Sequence, residues 1–144
     1  KGIYLKLEKP ENPFAISADK EKIKSAIFNV ISNAVKYTPK GGVTINIKKA
    51  DIKQILNSDN QNQNTKPAVI IEVKDTGIGI PQDKVKNIFE EQFKRTEQAK
   101  KTAEGSGVGL YLSGQIIKLH KGRAWAESEG EGKGSTFYIE LPVS

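Results

Sequence analysis

Cysteine and methionine are both absent from the 144 residues. Without cysteine there is no disulfide, no thiolate metal site and no cysteine nucleophile, which fits a reducing compartment. Lacking methionine and starting at Lys1, the chain is expected to be a piece of something longer, or a processed product, with a partner domain elsewhere. No run approaches the roughly 18 to 20 apolar residues that cross a bilayer, and no N-terminal signal pattern is visible. Histidine and tryptophan occur once each, as His120 and Trp125. Any Ser-His-Asp arrangement therefore rests on a single imidazole.

What is present is ordinary for one soluble domain with a single core. The formal net charge is +6. The lysines alternate with acids or apolar residues from Lys20 to Lys101, as on solvated faces. Charge so dispersed is a weak nucleic-acid footprint, and no nucleic-acid partner is expected.

Ile3 to Leu7 alternate as a short strand, and Phe14-Ala15-Ile16 reads as a second one. Asp19 is an N-cap candidate, and Ile23, Ala26, Ile27, Val30, Ile31 and Ala34 follow at helical spacing. Thr38-Pro39-Lys40-Gly41-Gly42 stops that helix. Val43, Ile45 and Ile47 form a strand, and Val69, Ile71 and Val73 another. The Asn/Gln-rich tract from Gln54 to Lys66 between them reads as a long mobile hairpin loop. A short helix is expected around Asp83 to Phe89, behind Pro81. A longer one covers Val108 to His120, with Leu112, Ile116 and Leu119 on one side. Strands at Arg123 to Ser128 and Thr136 to Leu141 close the chain. The expected fold is a two-layer α/β sandwich: a mixed, largely antiparallel sheet covered on one face by helices.

Three constellations carry chemistry. Asn29, Asn33 and Lys36 fall at i, i+4 and i+7, at the margin of the first helix's apolar stripe. Amides there offer oxygens to a hard cation and the lysine a charge to phosphate; the plain alternative is two solvent-facing asparagines. Asp75-Thr76-Gly77-Ile78-Gly79-Ile80 leaves the end of an apolar strand. Such a carboxylate accepts from an exocyclic amine such as that of adenine, whereas guanine presents an oxygen there. Gly77 and Gly79 let backbone approach a flat base, and a tight turn alone is the competing account. Gly105-Ser106-Gly107-Val108-Gly109 opens a helix, whose N-terminal N–H groups suit phosphate. The polar stretch 94–105 before it is a candidate lid, or simply a surface loop.

Taken in order, Asn29 to Pro39, Asp75 to Pro81, Ile88-Phe89-Glu90 and Gly105 to Leu110 resemble the N, G1, F and G2 boxes of sensor histidine kinases. Gly134-Ser135-Thr136-Phe137 resembles that family's last glycine-threonine strand. The resemblance implies the ATP-binding catalytic domain of the GHKL ATPase/kinase superfamily, with ATP and Mg²⁺ as cofactors. It implies that one or both of Asn29 and Asn33 hold magnesium, that Lys36 meets a phosphate and that Tyr37 lies near the nucleotide. By the same resemblance Asp75 reads the adenine amine, with Gly77 and Gly79 beside the base. Gly105, Gly107 and Gly109 would then shape the phosphate end, and Ile80, Val108, Leu110 and Thr136 are further ATP-binding residues. One departure stands out: three residues lie between Phe89 and Phe93 where the family has two, so the lid near Arg95 is expected to differ in shape.

The family's phosphoacceptor histidine sits on a separate helical hairpin, through which the parent proteins dimerise, and a response regulator acts downstream. The resemblance therefore implies a cytoplasmic domain, even in a membrane-anchored parent, that makes no membrane contact and does not autophosphorylate alone. His120 resembles the family's structural His-Gly, so packing or capping is its expected role. GHKL ATPases and serine-directed anti-sigma kinases are the alternatives within the fold, and they use an acidic residue in the first box, where Asn29 stands; a basic nucleic-acid-binding module is the more distant alternative.

Overall fold

The computed structural model describes residues 2–9, 15–55, 63–90 and 109–143. In chain order the elements are β1 (Tyr4–Glu8), α1 (Lys20–Lys36), β2 (Gly42–Ile55), β3 (Gln63–Asp75), α2 (Gln82–Val85), α3 (Gly109–Leu119), β4 (Arg123–Glu127) and β5 (Ser135–Pro142). The strands form one sheet in the order β1-β2-β3-β5-β4. Only β1 and β2 run parallel; the other three pairings are antiparallel. The expected mixed sheet with helices on one face is the observed fold.

Period-2 alternation decides which face is covered. Val43 and Ile45 on β2, Val69, Ile71 and Val73 on β3, and Phe137, Ile139 and Leu141 on β5 are all buried against the helices. The α1 residues Ile23, Ala26, Val30 and Ala34 meet them from above. Full burial of a Val, Ile or Leu contributes about 1.5–3 kcal/mol each, so this layer carries the stability. The opposite face holds a Trp125–Tyr138 stack with ring centroids 4.9 Å apart, and Arg123 lies over the Trp125 ring.

Helix α1 begins where expected, because the Asp19 carboxylate accepts the Lys22 N–H at 3.1 Å. Its far neighbour α3 runs antiparallel to it, with the Ser113 hydroxyl donating to the Ala26 carbonyl at 2.9 Å. The buried side of α3 is Leu110, Ser113, Gly114 and Ile117. That corrects the expectation from Leu112, Ile116 and Leu119: Leu112 and Leu119 are 49% and 76% exposed. Small residues at 113 and 114 let α3 approach closely, and this sets its rotation.

His120 ties the two helices together. Its Nε2 accepts the Asp19 N–H at 3.1 Å, and its Nδ1 lies 2.8 Å from the Ile116 carbonyl. The pattern requires the proton on Nδ1. His120→Ala orphans a helix-cap N–H and is expected to cost about 1 kcal/mol, lowering Tm by roughly 3 °C in a thermal melt.

Three further expectations are corrected. Ala15 and Ile16 are not in a strand, and Phe14 lies outside the described residues. The hairpin strands extend to Ile55 and resume at Gln63, well into the tract read as loop. An antiparallel ladder needs only backbone groups to propagate, so polar side chains do not end it. From Ile52–Lys66 to Ile55–Gln63 the two strands form a ribbon beyond the reach of β1 and β5 pairing. The segment near Asp83 is helical only over Gln82–Val85, with turns following to Glu90.

Candidate functional site

Asp75 is the last residue of β3 and points to the helix side, where it is 6% exposed. Its Oδ1 accepts the N–H of Gly77 at 2.9 Å and that of Ser135 at 3.1 Å. Among the described residues, Oδ2 accepts no hydrogen bond. Burial raises the carboxyl pKa from 3.8 to about 6, against the two N–H bonds, which lower it. A buried carboxylate with one oxygen fixed can accept an N–H donor at the other.

The turn after Asp75 is held from two directions. On the α1 side, Ile78 N–H donates to the Tyr37 carbonyl at 3.0 Å, and the Thr76 hydroxyl donates to the Lys40 carbonyl while accepting Gly42 N–H. A Cβ on Gly77 would fall 2.2 Å from the Tyr37 carbonyl oxygen, so the chain passes here only without a side chain. On the other side stands the glycine hairpin joining β4 and β5. Gly132 N–H donates to the Ile78 carbonyl at 2.6 Å, and Gly134 N–H to the Gly77 carbonyl at 3.1 Å. Gly79 has φ +77°, and a Cβ on it would fall 2.0 Å from the Gly130 carbonyl oxygen.

Asn29 and Asn33 are half-buried on the α3 side of α1, and Lys36 is its exposed last residue. Gly109 starts α3 beside them: a Cβ there would sit 4.0 Å from Asn29 Cβ. Tyr37 caps α1 and contributes its carbonyl to the turn. Ile80 and Leu110 belong to the core. The site thus runs along the C-terminal half of α1, from the start of α3 to the turn after Asp75. Gly105, Gly107, Val108, Phe93, Arg95 and the candidate lid 94–105 lie outside the described residues. Among the described residues, no cluster of three His, Cys, Asp or Glu is placed to hold a metal. A divalent cation here would rest on amide oxygens and on its ligand's phosphates, a donor set that suits Mg²⁺.

Thr136 is not brought to Asp75. Strand alternation puts it on the uncovered face, paired between Lys74 and Glu127, and its neighbour Ser135 supplies the contact. That signal was in the sequence, since Ser135 shares the parity of Phe137, Ile139 and Leu141. Ser128 was also missed; its hydroxyl accepts Ile80 N–H at 3.0 Å.

The family described as histidine kinase-, DNA gyrase B- and HSP90-like ATPase matches residues 18–144. The adaptive-response sensory kinase SasA of Crocosphaera subtropica is 37% identical over 99% of this chain and 33% of its own length. The sensor histidine kinase WalK of Bacillus subtilis is 36% identical over 92% of this chain and 20% of its length. The chain thus spans about a third or less of these relatives. Full-length ShkA, solved in complex with AMPPNP, superposes with a TM-score of 0.72 at 26% identity, over 99% of this chain and 26% of that one.

Proposed function

Because the chain belongs to the histidine kinase-, DNA gyrase B- and HSP90-like ATPase family, we propose that it binds Mg·ATP and presents the γ-phosphate to a histidine on a separate helical hairpin. The parent protein would be a sensor histidine kinase in two-component signalling, handing the phosphoryl group on to a response regulator, with this domain in the cytoplasm. The observation that carries the reading is the buried Asp75 carboxylate, with Oδ1 held by two backbone N–H groups and Oδ2 unused among the described residues. Adenine's exocyclic amine is the donor that completes it, and guanine's oxygen would meet it with repulsion.

In this reading Gly77 and Gly79 bring backbone against the base, and Tyr37 borders it. Asn29 and Asn33 turn amide oxygens toward magnesium, which neutralises phosphate charge when bound. Lys36 meets a phosphate oxygen, and Gly105, Gly107, Val108 and Gly109 approach the phosphate chain. This chain need supply no nucleophile, because the acceptor imidazole attacks the γ-phosphorus and ADP leaves. Its contribution is positioning and charge stabilisation. The kinase branch is favoured over an ATPase by Asn29, an amide where a water-activating acid is needed, and by the kinase relatives.

Calorimetry with ATP, ADP and GTP, with and without Mg²⁺, tests the proposal. Magnesium-dependent, adenine-selective binding is expected, with negligible autophosphorylation of the isolated domain. No binding at millimolar ATP, or robust phosphohistidine on this chain alone, would overturn it.

The raised Asp75 pKa of about 6 adds a pH dependence. An amine donor favours the ionised carboxylate, so adenosine, which has no phosphate to titrate, should bind more tightly as pH rises from about 5 to 7. An NMR titration at several pH values measures this, and a flat profile would detach Asp75 from the base.

A further inference from the structure

We propose that Ser128 is a positioning residue for the adenine end of the site, holding the turn after Asp75 through a fully used hydroxyl. The inference rests on the nucleotide reading for its consequence, and on hydrogen-bond geometry for its substance. Ser128 follows β4 and precedes the glycine hairpin, and its Oγ joins three segments. It accepts the Ile80 N–H at 3.0 Å and the Gly130 N–H at 3.2 Å, and donates to the Gly134 carbonyl at 2.7 Å. A second carbonyl, of Gly130, lies farther at 3.3 Å, so the single proton goes to Gly134. One donor and two acceptor sites are the whole capacity of a serine hydroxyl. The residue's own carbonyl is held in turn by Gln82 Nε2 at 2.7 Å.

The three partners are not arbitrary. Ile80 ends the turn that begins at Asp75, and Gly134 precedes Ser135, whose N–H fixes Asp75 Oδ1. Gly134 also donates its own N–H to the Gly77 carbonyl. The hydroxyl therefore grips both flanks of the segment that aims the carboxylate. Removing it leaves two N–H groups and one carbonyl without their partner, and loosens the Ile80 end of the turn while the Gly132–Ile78 and Gly134–Gly77 bonds remain. The phosphate end, built on Asn29, Asn33 and Lys36 of α1, has no part in this network.

The test compares wild type with Ser128→Ala, Ser128→Thr and Gln82→Ala, using adenosine and Mg-tripolyphosphate as separate probes of the two ends. Ser128→Ala is expected to weaken adenosine about tenfold, leaving tripolyphosphate within about twofold. Ser128→Thr keeps the hydroxyl and should restore most of the loss. Gln82→Ala, an exposed change that leaves the core intact, should cost adenosine about threefold. A general loosening of the fold would instead lower Tm and weaken both probes together, and that result overturns the proposal. If wild type binds no adenosine, the nucleotide reading fails separately. Amide exchange then decides: faster exchange at Ile80 and Gly130 in Ser128→Ala upholds the hub, and unchanged exchange removes it.

Discussion

Replacing Asp75 by asparagine should weaken ATP binding about a hundredfold and yet make the free domain more stable at neutral pH. Asparagine keeps an oxygen where Oδ1 accepts the Gly77 and Ser135 N–H groups, so the turn survives. At the Oδ2 position it places an NH₂, which faces the adenine amine donor to donor. An unpaired, desolvated donor costs about 1–3 kcal/mol, and a site built for the opposite polarity discriminates by 10²-fold or more. The stability gain follows from the carboxyl pKa, raised by burial from 3.8 to about 6. The native state then holds more protons than the unfolded chain between those values, so wild-type stability falls as pH rises through that window. Asparagine does not titrate there. Melting curves of the two proteins should diverge from pH 4 to pH 6, to a gap of about 2 kcal/mol after the amide's own burial cost. Calorimetry reads the binding half. A variant that binds ATP like wild type, or melts in parallel with it at every pH, would contradict this account.

Gly79→Ala should be the most damaging single-methyl change in the turn. With φ at +77°, any L side chain is strained by about 1–2 kcal/mol. The added Cβ also falls 2.0 Å from the Gly130 carbonyl oxygen, a backbone atom that moves only with its hairpin. Retreat of that hairpin breaks the Ser128–Ile80 and Gly132–Ile78 bonds together. A total cost of at least about 3 kcal/mol, or a Tm lower by roughly 6–12 °C, is expected, with ATP binding lost as well. Gly109→Ala is the matched control, because among the described residues its Cβ would meet only Asn29 Cβ at 4.0 Å in an α-helix. It should melt at or slightly above wild type. Equal melting of the two variants in circular dichroism would refute the backbone-clash argument.

Much of this architecture is legible in the chain because hydrophobic period and caps are local. Asp19, the apolar repeat of α1 and the Thr38-Pro39 stop placed that helix within a residue of its observed ends. The alternation in β2, β3 and β5 placed the sheet and its covered face. What escaped depends on partners distant in sequence. The rotation of α3 follows from Ser113 packing on α1 and Gly114 on Phe89, so Leu112 and Leu119 sit outside despite their hydrophobicity. The reach of β2 and β3 is set by their mutual pairing, which the Asn/Gln-rich composition does not report. In the site, Asp75, Gly77 and Gly79 were readable from the strand-end motif. The parity of β5, which the motif does not report, is what turns Ser135 to Asp75 and Thr136 to the other face. Ser128 was hidden because Ile80, the partner that ties it to the site, is distant in sequence, while its bonds to Gly130 and Gly134 are those of a local turn.

The ribbon at the far end of β2 and β3 is also a handle. Thirteen residues of β3 separate Gln63 from Asp75, so at 3.3 Å per residue the join lies about 40 Å from the carboxylate. Pairing there is local to the two strands and supports neither the core nor the turn after Asp75. Sequence spliced between Ile55 and Gln63 therefore enters where the chain already turns back on itself. A fluorescent reporter or an affinity tag grafted at that join would ride on the domain while leaving both ends of the proposed nucleotide site free.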